Sequence, residues 1–395
     1  MHGIKKRNFF LTQIDKLSII SLISSISIAL ISTIWAIYLE SFLHNASYVG
    51  FLTTLFTVVA GISCIIMVPI IEKNSKTRIF MISLLLYGIS YWLFSFLSNI
   101  YAIILLGLLI AVISTLKVTS FGIILRDKSG DKSVSKNISL IYTFLNISWL
   151  IGPLIAGFVS QEYGIGKVFI IAAIFMFISF ILFASFRVVD NRTEKKIDTN
   201  ILKLLKDFLK TKDRLLIYVL SGAVNFWWAL IYIYIPIYII ESGLKSSVVG
   251  YFLFAVVIPL ILFEYYFGKL TAKVGFKKIF LTGYILLSIF ALSCFFISNI
   301  YVILLLLVCA SIGAAMVEPT TEAYFFDIIT KDQRDKYYGP YNTAIDVGNS
   351  LATFFGAIIL LFLPFKFIFI FFAVSMFIFA MLSLKIKNVI EARKK

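Results

Sequence analysis

The chain predicts an all-α polytopic membrane protein, with twelve transmembrane helices in two pseudo-symmetric six-helix bundles. Three observations carry that expectation. First, 61% of the 395 residues are hydrophobic and only 14% are charged, and the charges cluster between long apolar runs. Second, Ser98-Asn99-Ile100-Tyr101 returns as Ser298-Asn299-Ile300-Tyr301. The same register pairs Ile37-Tyr38 with Ile237-Tyr238, Val49-Gly50 with Val249-Gly250, and Asp127 with Asp327. Third, lysine and arginine alternate between the two sides of the apolar runs. The side of the N-terminus holds 32 of them, the opposite connections hold Lys167, Lys245 and Lys366, and Lys117 lies within a span.

Each run is long enough for a helix across a hydrocarbon core of about 30 Å, which takes about 20 residues. In lipid every backbone polar group must be satisfied within the protein, so spans are helices or closed barrels. These runs far exceed the roughly ten-residue alternating strands of a barrel. The first six spans are expected at 17–39, 47–70, 79–97, 100–124, 138–160 and 166–186. The second six fall at 215–239, 247–268, 278–297, 300–328, 340–362 and 366–385. Two domains follow, 1–186 and 215–395, joined by the polar stretch 187–214.

The net charge of +16 invites a nucleic-acid partner, but the one-sided distribution of the basic residues argues against it and places both termini in the cytoplasm by the positive-inside rule. The first span is expected to be retained, being too long for a cleaved signal core. Within 187–214, Ile197, Ile201, Leu204, Leu205, Phe208 and Leu209 recur at helical spacing, with Lys203, Lys206 and Lys210 on the other side. That pattern suits an amphipathic helix lying on the anionic leaflet, the alternative being a simple tether. Cys64, Cys294 and Cys309 fall within spans and read as small buried hydrophobes.

The connections carry a family resemblance. The segment Gly268-Lys-Leu-Thr-Ala-Lys273-Val-Gly275-Phe-Lys277-Lys278 resembles the loop 8–9 signature of the major facilitator superfamily, with Ala272 where an acid is usual. The equivalent first-half loop has Glu72-Lys73, followed by Lys76 and Arg78. Asp327 through Arg334 resembles the family's exit from the tenth span, and Gly152-Pro153-Leu-Ile-Ala156-Gly157 is similar to an element frequent in its exporters. The resemblance implies the major facilitator fold, alternating access, and a cavity lined by the first, fourth, seventh and tenth spans. It also implies gating roles for Glu72, Lys73, Gly268, Lys273, Gly275, Asp327 and Arg334. The family's drug–proton antiporters usually carry an arginine in the fourth span, and none lies between Tyr101 and Leu125.

Charges at bilayer depth are costly, about 2.5–3.5 kcal/mol on insertion scales, so they face a cavity or a partner. Lys117 in the fourth span, Glu318 and Glu322 in the tenth, and Asp346 in the eleventh stand out. Glu318 and Glu322 are four residues apart and share a helix face. Two carboxylates there resist joint ionisation, which suits a proton carrier exchanging with a cationic substrate. Lys117 aligns with Val317 by the repeat and reads as their counter-ion or as a contact for an anionic group. Glu264, one turn before Gly268, reads as part of the loop charge cluster. In the seventh span, Asn225, Trp228 and Tyr232 offer an aromatic face for organic cations. Tyr234 and Tyr238 suit an interfacial belt.

No Walker loop, dinucleotide fingerprint or Cys/His cluster appears in the sequence. The expectation is a secondary transporter without cofactor or metal, acting as a monomer on a small molecule and protons. Proton-coupled export of small amphipathic or cationic organic compounds leads. Uptake of a sugar or organic anion is the alternative, and a membrane-embedded enzyme is the rival of another class.

Overall fold

A computed structural model describes residues 12–128, 134–188 and 201–387. Its helices are α1 (Gln13–Leu43), α2 (Ala46–Lys73), α3 (Lys76–Phe94), α4 (Ile100–Lys128), α5 (Val134–Tyr163) and α6 (Ile165–Ser185). After the short α7 (Ile201–Leu209) come α8 (Lys212–Ala229), a π-helical turn (Leu230–Tyr234) and α9 (Ile235–Glu241), which run on as one seventh span. Then follow α10 (Ser246–Val274), α11 (Phe276–Phe296), α12 (Ile300–Ile328), α13 (Lys331–Phe362) and α14 (Phe367–Ser383). Among the described residues, eleven helices are long and apolar enough to cross a membrane, and α14, at 17 residues, is a shorter apolar twelfth. One face carries the start of α1, the end of α14 and α7, and is called here the terminal face. The opposite face carries the short connections at 44–45, 95–99, 242–245 and 297–299.

The repeated Ser-Asn-Ile-Tyr has a local cause. Asn99 accepts the Tyr101 N–H at 2.8 Å, and Asn299 accepts the Tyr301 N–H at 2.9 Å. Each asparagine satisfies a donor that the first helical turn leaves without a partner. Asn45, the asparagine of an Asn-Ala-Ser triplet, does the same for α2 through the Ser47 N–H at 2.8 Å. Replacing Asn99 or Asn299 by alanine is expected to cost about 0.5–2 kcal/mol, read as a lower melting temperature in detergent.

Repeat mates make the same packing contacts. Ser148 of α5 donates to the Leu22 carbonyl of α1 at 3.0 Å. Their mates by the 200-residue offset, Gly348 and Gly222, bring α13 and α8 so close that a Cβ on Gly348 would strike the Gly222 carbonyl. Gly50 and Gly250, the matched Val-Gly pair, sit where the two bundles meet. A Cβ on Gly50 would stand 2.8 Å from Ala357 Cβ of α13. A Cβ on Gly250 would run into the Pro153 carbonyl and stand 2.9 Å from Gly157 Cα of α5. Ala357 and Gly157 are themselves mates at the same offset. The exporter-like element Gly152–Gly157 is thus the packing edge of α5, with Gly152 against Ala29 of α1 and Gly157 against Gly250 of α10.

Hydrogen bonds join the bundles along these lines. Ser47 donates to the Ala357 carbonyl at 2.7 Å, Thr54 meets Thr353 at 2.8 Å, Thr57 meets Ser350 at 2.8 Å, and Ser160 meets Ser246 at 2.8 Å. They lie in the half of the molecule remote from the termini. Ile237 packs into the first bundle's core and Ile37 into the second's, so the first and seventh spans interlock.

Two sequence expectations are corrected by packing. Tyr234 does not reach a lipid interface. It is fully buried and donates its hydroxyl to the Thr353 carbonyl at 2.6 Å. Tyr238 stacks on Phe365, with ring centroids 4.7 Å apart. The amphipathic α7 also spends its apolar face on protein rather than lipid. Leu204 and Phe208 are buried, and Phe208 packs against Tyr218, Phe325 and Tyr337 of the second bundle. Lys203, Lys206 and Lys210 remain on its outer side. Ile197 lies outside the described residues.

Candidate functional site

Near the middle of the seventh span the helix widens into its π turn, where the Ile235 N–H bonds the Leu230 carbonyl. Pro236 supplies the reason. It has no N–H, and its ring would press on the Tyr232 carbonyl in a regular α-helix. Such turns recur at functional sites. Here the turn carries Tyr232, whose ring meets Trp228 at 5.8 Å and, across the bundles, Trp149 of α5 at 5.4 Å. A cavity of about 180 Å³ opens beside them, lined by Ile31, Ser32 and Trp35 of α1, Trp149, Tyr232 and Ile233. Its wall is aromatic and aliphatic, with almost no polar surface.

Trp228 links this cavity to the acids. Its indole Nε1 donates to Glu318 Oε2 of α12 at 3.2 Å. Glu322, one turn along, accepts the Tyr338 hydroxyl of α13 at 2.7 Å. The two carboxylates therefore hold different partners on different helices. Glu264 of α10 is half-buried. Asn225 donates to its own helix, at the Ser221 carbonyl, at 3.3 Å. Lys117 is 8% exposed and forms no ion pair with Glu318 or Glu322 within 4.0 Å. Asp346 faces α2, where a Cβ on Gly61 would lie 3.7 Å from its own Cβ.

The expected gating residues divide. Gly275 ends α10 and starts α11 at φ +88°, a conformation that favours glycine. Gly268, by contrast, lies inside α10 with open space around it, so no tight turn depends on it. Lys273 occupies the last turn of α10. Arg334 donates to the Phe326 carbonyl at 3.2 Å and lies 5.3 Å from that ring, tying the α12–α13 corner beside Asp327. The side chains of Glu72 and Lys73 lie outside the described residues.

A further set of contacts fastens α7 to α13. Asp207 accepts the Tyr337 hydroxyl at 2.6 Å and the Lys336 ammonium at 2.9 Å, and the Arg214 guanidinium sits 4.7 Å from the Tyr337 ring. Those hydrogen bonds, Tyr337's first, hold the Asp207 carboxyl down to about 2, from an ordinary 3.8. A carboxyl depressed in the folded state contributes fully above its ordinary value and loses its contribution as pH falls through the folded one. Protection of the α7 amides, relative to their intrinsic exchange rates, is therefore expected to stay flat from neutral to mildly acidic pH, and to be lower across that range in Asp207→Asn.

The sequence pointed to Trp228, Tyr232 and Glu318 but not to Trp35, Trp149 or Tyr338. Trp149 carried a usable signal: a tryptophan in mid-span, where no interfacial belt explains it.

Two pseudo-symmetric bundles of six helices with a polar and aromatic centre define a membrane carrier architecture. The model of the Major Facilitator Superfamily matches residues 17–263 and 243–395, and the chain belongs to that family of transporters. An uncharacterised MFS-type transporter of Methanocaldococcus jannaschii is 22% identical over 336 residues, 82% of this chain and 84% of that protein. Among solved structures, a POT family transporter in complex with 5-aminolevulinic acid superposes with a TM-score of 0.78 at 12% identity, covering 94% of this chain and 95% of its own. The nucleoside transporter NupG gives 0.75 at 14% identity, covering 94% and 99%. A bacterial homologue of the human lysosomal transporter Spinster, inward-facing and occupied, gives 0.74 at 12%, covering 94% and 95%. These similarities show the fold.

Proposed function

We propose that the protein exports small amphipathic or cationic organic compounds in exchange for protons, by alternating access across the cell membrane. The hydrogen bond from Trp228 to Glu318 carries this reading, because it joins an aromatic wall to a buried acid. A flat cation is attracted by the Trp149 and Tyr232 faces and by the carboxylate. A proton on Glu318 removes the negative charge that the cation needs, so the two compete for one site. At about 180 Å³ the cavity is smaller than the roughly 300–1,000 Å³ of drug-sized sites, which favours a compact substrate. Both termini are cytoplasmic in this reading, from the lysine and arginine asymmetry. The interbundle hydrogen bonds then lie on the outer side, as an inward-facing carrier requires. The molecule works as a monomer, with an outward direction suggested by Gly152–Gly157.

Lys117 favours a second reading. A buried lysine with no ion pair among the described residues suits a carrier that takes up a substrate with an anionic group.

The test uses protein reconstituted in vesicles under an imposed pH gradient, with labelled N-methyl-4-phenylpyridinium as the cation probe and labelled lactate as the anion probe. Gradient-driven movement of the pyridinium supports the first reading. Movement of lactate alone, lost in Lys117→Gln, replaces it with the second.

A further inference from the structure

The seam between α2 and α13 is a ladder of small groups. Descending α2 from the face remote from the termini, Ser47 meets Ala357, Thr54 meets Thr353 and Thr57 meets Ser350, each through a hydroxyl. The next rung pairs Gly61 with Asp346. An ionisable group thus follows three hydroxyl rungs, and it faces a residue with no side chain. Asp346 is partly buried, and one turn away on α13 Thr343 shares its hydroxyl with Tyr218 of α8 at 2.9 Å. Cys64 follows Gly61 by one turn on α2. None of these groups is cationic, and no ion pair reaches Asp346 among the described residues. The other charges against α13 act elsewhere along it. Asp207 of α7 holds Lys336 and Tyr337, and Glu322 of α12 holds Tyr338.

The repeat supplies a control within the same molecule. The mate seam runs between α5 and α10, through Gly157–Gly250 and Ser160–Ser246. There the position matching Asp346 is Asn146, an uncharged side chain of the same shape. The carboxylate is thus particular to the α2–α13 side of the repeat.

We propose that Asp346 is a protonation gate on the α2–α13 seam. Ionised, it holds the terminal-side halves of the two helices apart. Closing them would strip water from an unpaired carboxylate between Gly61, Cys64 and Tyr218, which is costly. Protonated, it becomes a hydroxyl donor like the rungs above it and lets the ladder extend toward the terminal face. The gate rests on the alternating-access reading, but not on the substrate or on the role of Glu318.

Distance measurement by double electron–electron resonance tests it without substrate. Spin labels are placed at Asn74→Cys, at the terminal end of α2, and at Gln333→Cys, in the first turn of α13, both exposed positions. The background carries Cys64→Ser, Cys294→Ser and Cys309→Ser, and the full chain is held in lipid nanodiscs. Acidification is expected to add a shorter-distance population. Asp346→Asn should show that population at every pH, while Asp346→Glu and Glu318→Gln keep the pH-dependent shift. Distances that ignore pH in the parent protein, or a shift that survives in Asp346→Asn, overturn the gate. A shift lost in Glu318→Gln and kept in Asp346→Asn overturns it too, by moving the sensor to α12. Vesicle transport is measured separately, so a failed gate and a failed exchange mechanism give different results.

Discussion

A Glu318→Gln variant is expected to lose accumulation driven by a pH gradient while keeping exchange of labelled for unlabelled substrate. One pH unit is worth about 1.4 kcal/mol per proton, so one-for-one exchange sustains about a tenfold substrate gradient. Without a carboxyl to protonate, that ratio should fall toward one. Glutamine keeps the size of the side chain and leaves an amide oxygen for the Trp228 N–H, which lies 3.2 Å from the carboxylate in the native protein. Loss of folding is therefore not the expected cause, and surviving exchange would exclude it. Glu322→Gln should do less, because Glu322 faces Tyr338 rather than the aromatic cavity. Full gradient-driven accumulation in Glu318→Gln vesicles would remove Glu318 from the coupling mechanism. Trp228→Phe separates the two parts of the site. It keeps the ring and deletes the donor to Glu318, so it should alter the pH dependence of exchange more than apparent substrate affinity.

The fold was legible because its rules act locally. Lipid thickness fixes span length, and Asn99 and Asn299 had to recur because each starts an equivalent helix. Val49-Gly50 and Val249-Gly250 recurred for a less visible reason. Each glycine is the point of closest approach to the other bundle, and a sequence does not say what a glycine is close to. The site was legible only where its residues share one helix, as Trp228 and Tyr232 do. Trp149 joins them from the other bundle, and Glu318 reaches Trp228 from a neighbouring helix. Neither relation has any trace in local periodicity. The α7 reading failed for a related reason. An apolar stripe states that something will cover it, but not whether lipid or protein does, and here Phe208 is covered by Phe325 and Tyr337.

Those interbundle glycines carry the other large expected effect. In Gly250→Leu the new side chain would have to occupy space taken by the Pro153 carbonyl and Gly157. Neither is the yielding tip of a flexible side chain; both are helix backbone. Overpacking of this kind costs about 1–3 kcal/mol. In a rigid core that would appear as lost stability. In the proposed alternating-access cycle, it falls on the conformation in which this seam is shut, and on that one alone. A bias of that size moves a two-state equilibrium by about 5- to 150-fold. Gly250→Leu should therefore bind substrate but turn over slowly, with the connections remote from the termini open to membrane-impermeant thiol reagents. A cysteine introduced at Ser246 in a cysteine-free background reports this, since Ser246 pairs with Ser160 in the shut seam. Gly50→Leu, pressing on Ala357 and the Tyr234 hydroxyl, should behave the same way on the α2–α13 side. Gly122→Leu is the control, because nothing lies within 4 Å of its would-be Cβ. Unchanged labelling and turnover in Gly250→Leu would mean that the bundles do not part along this line.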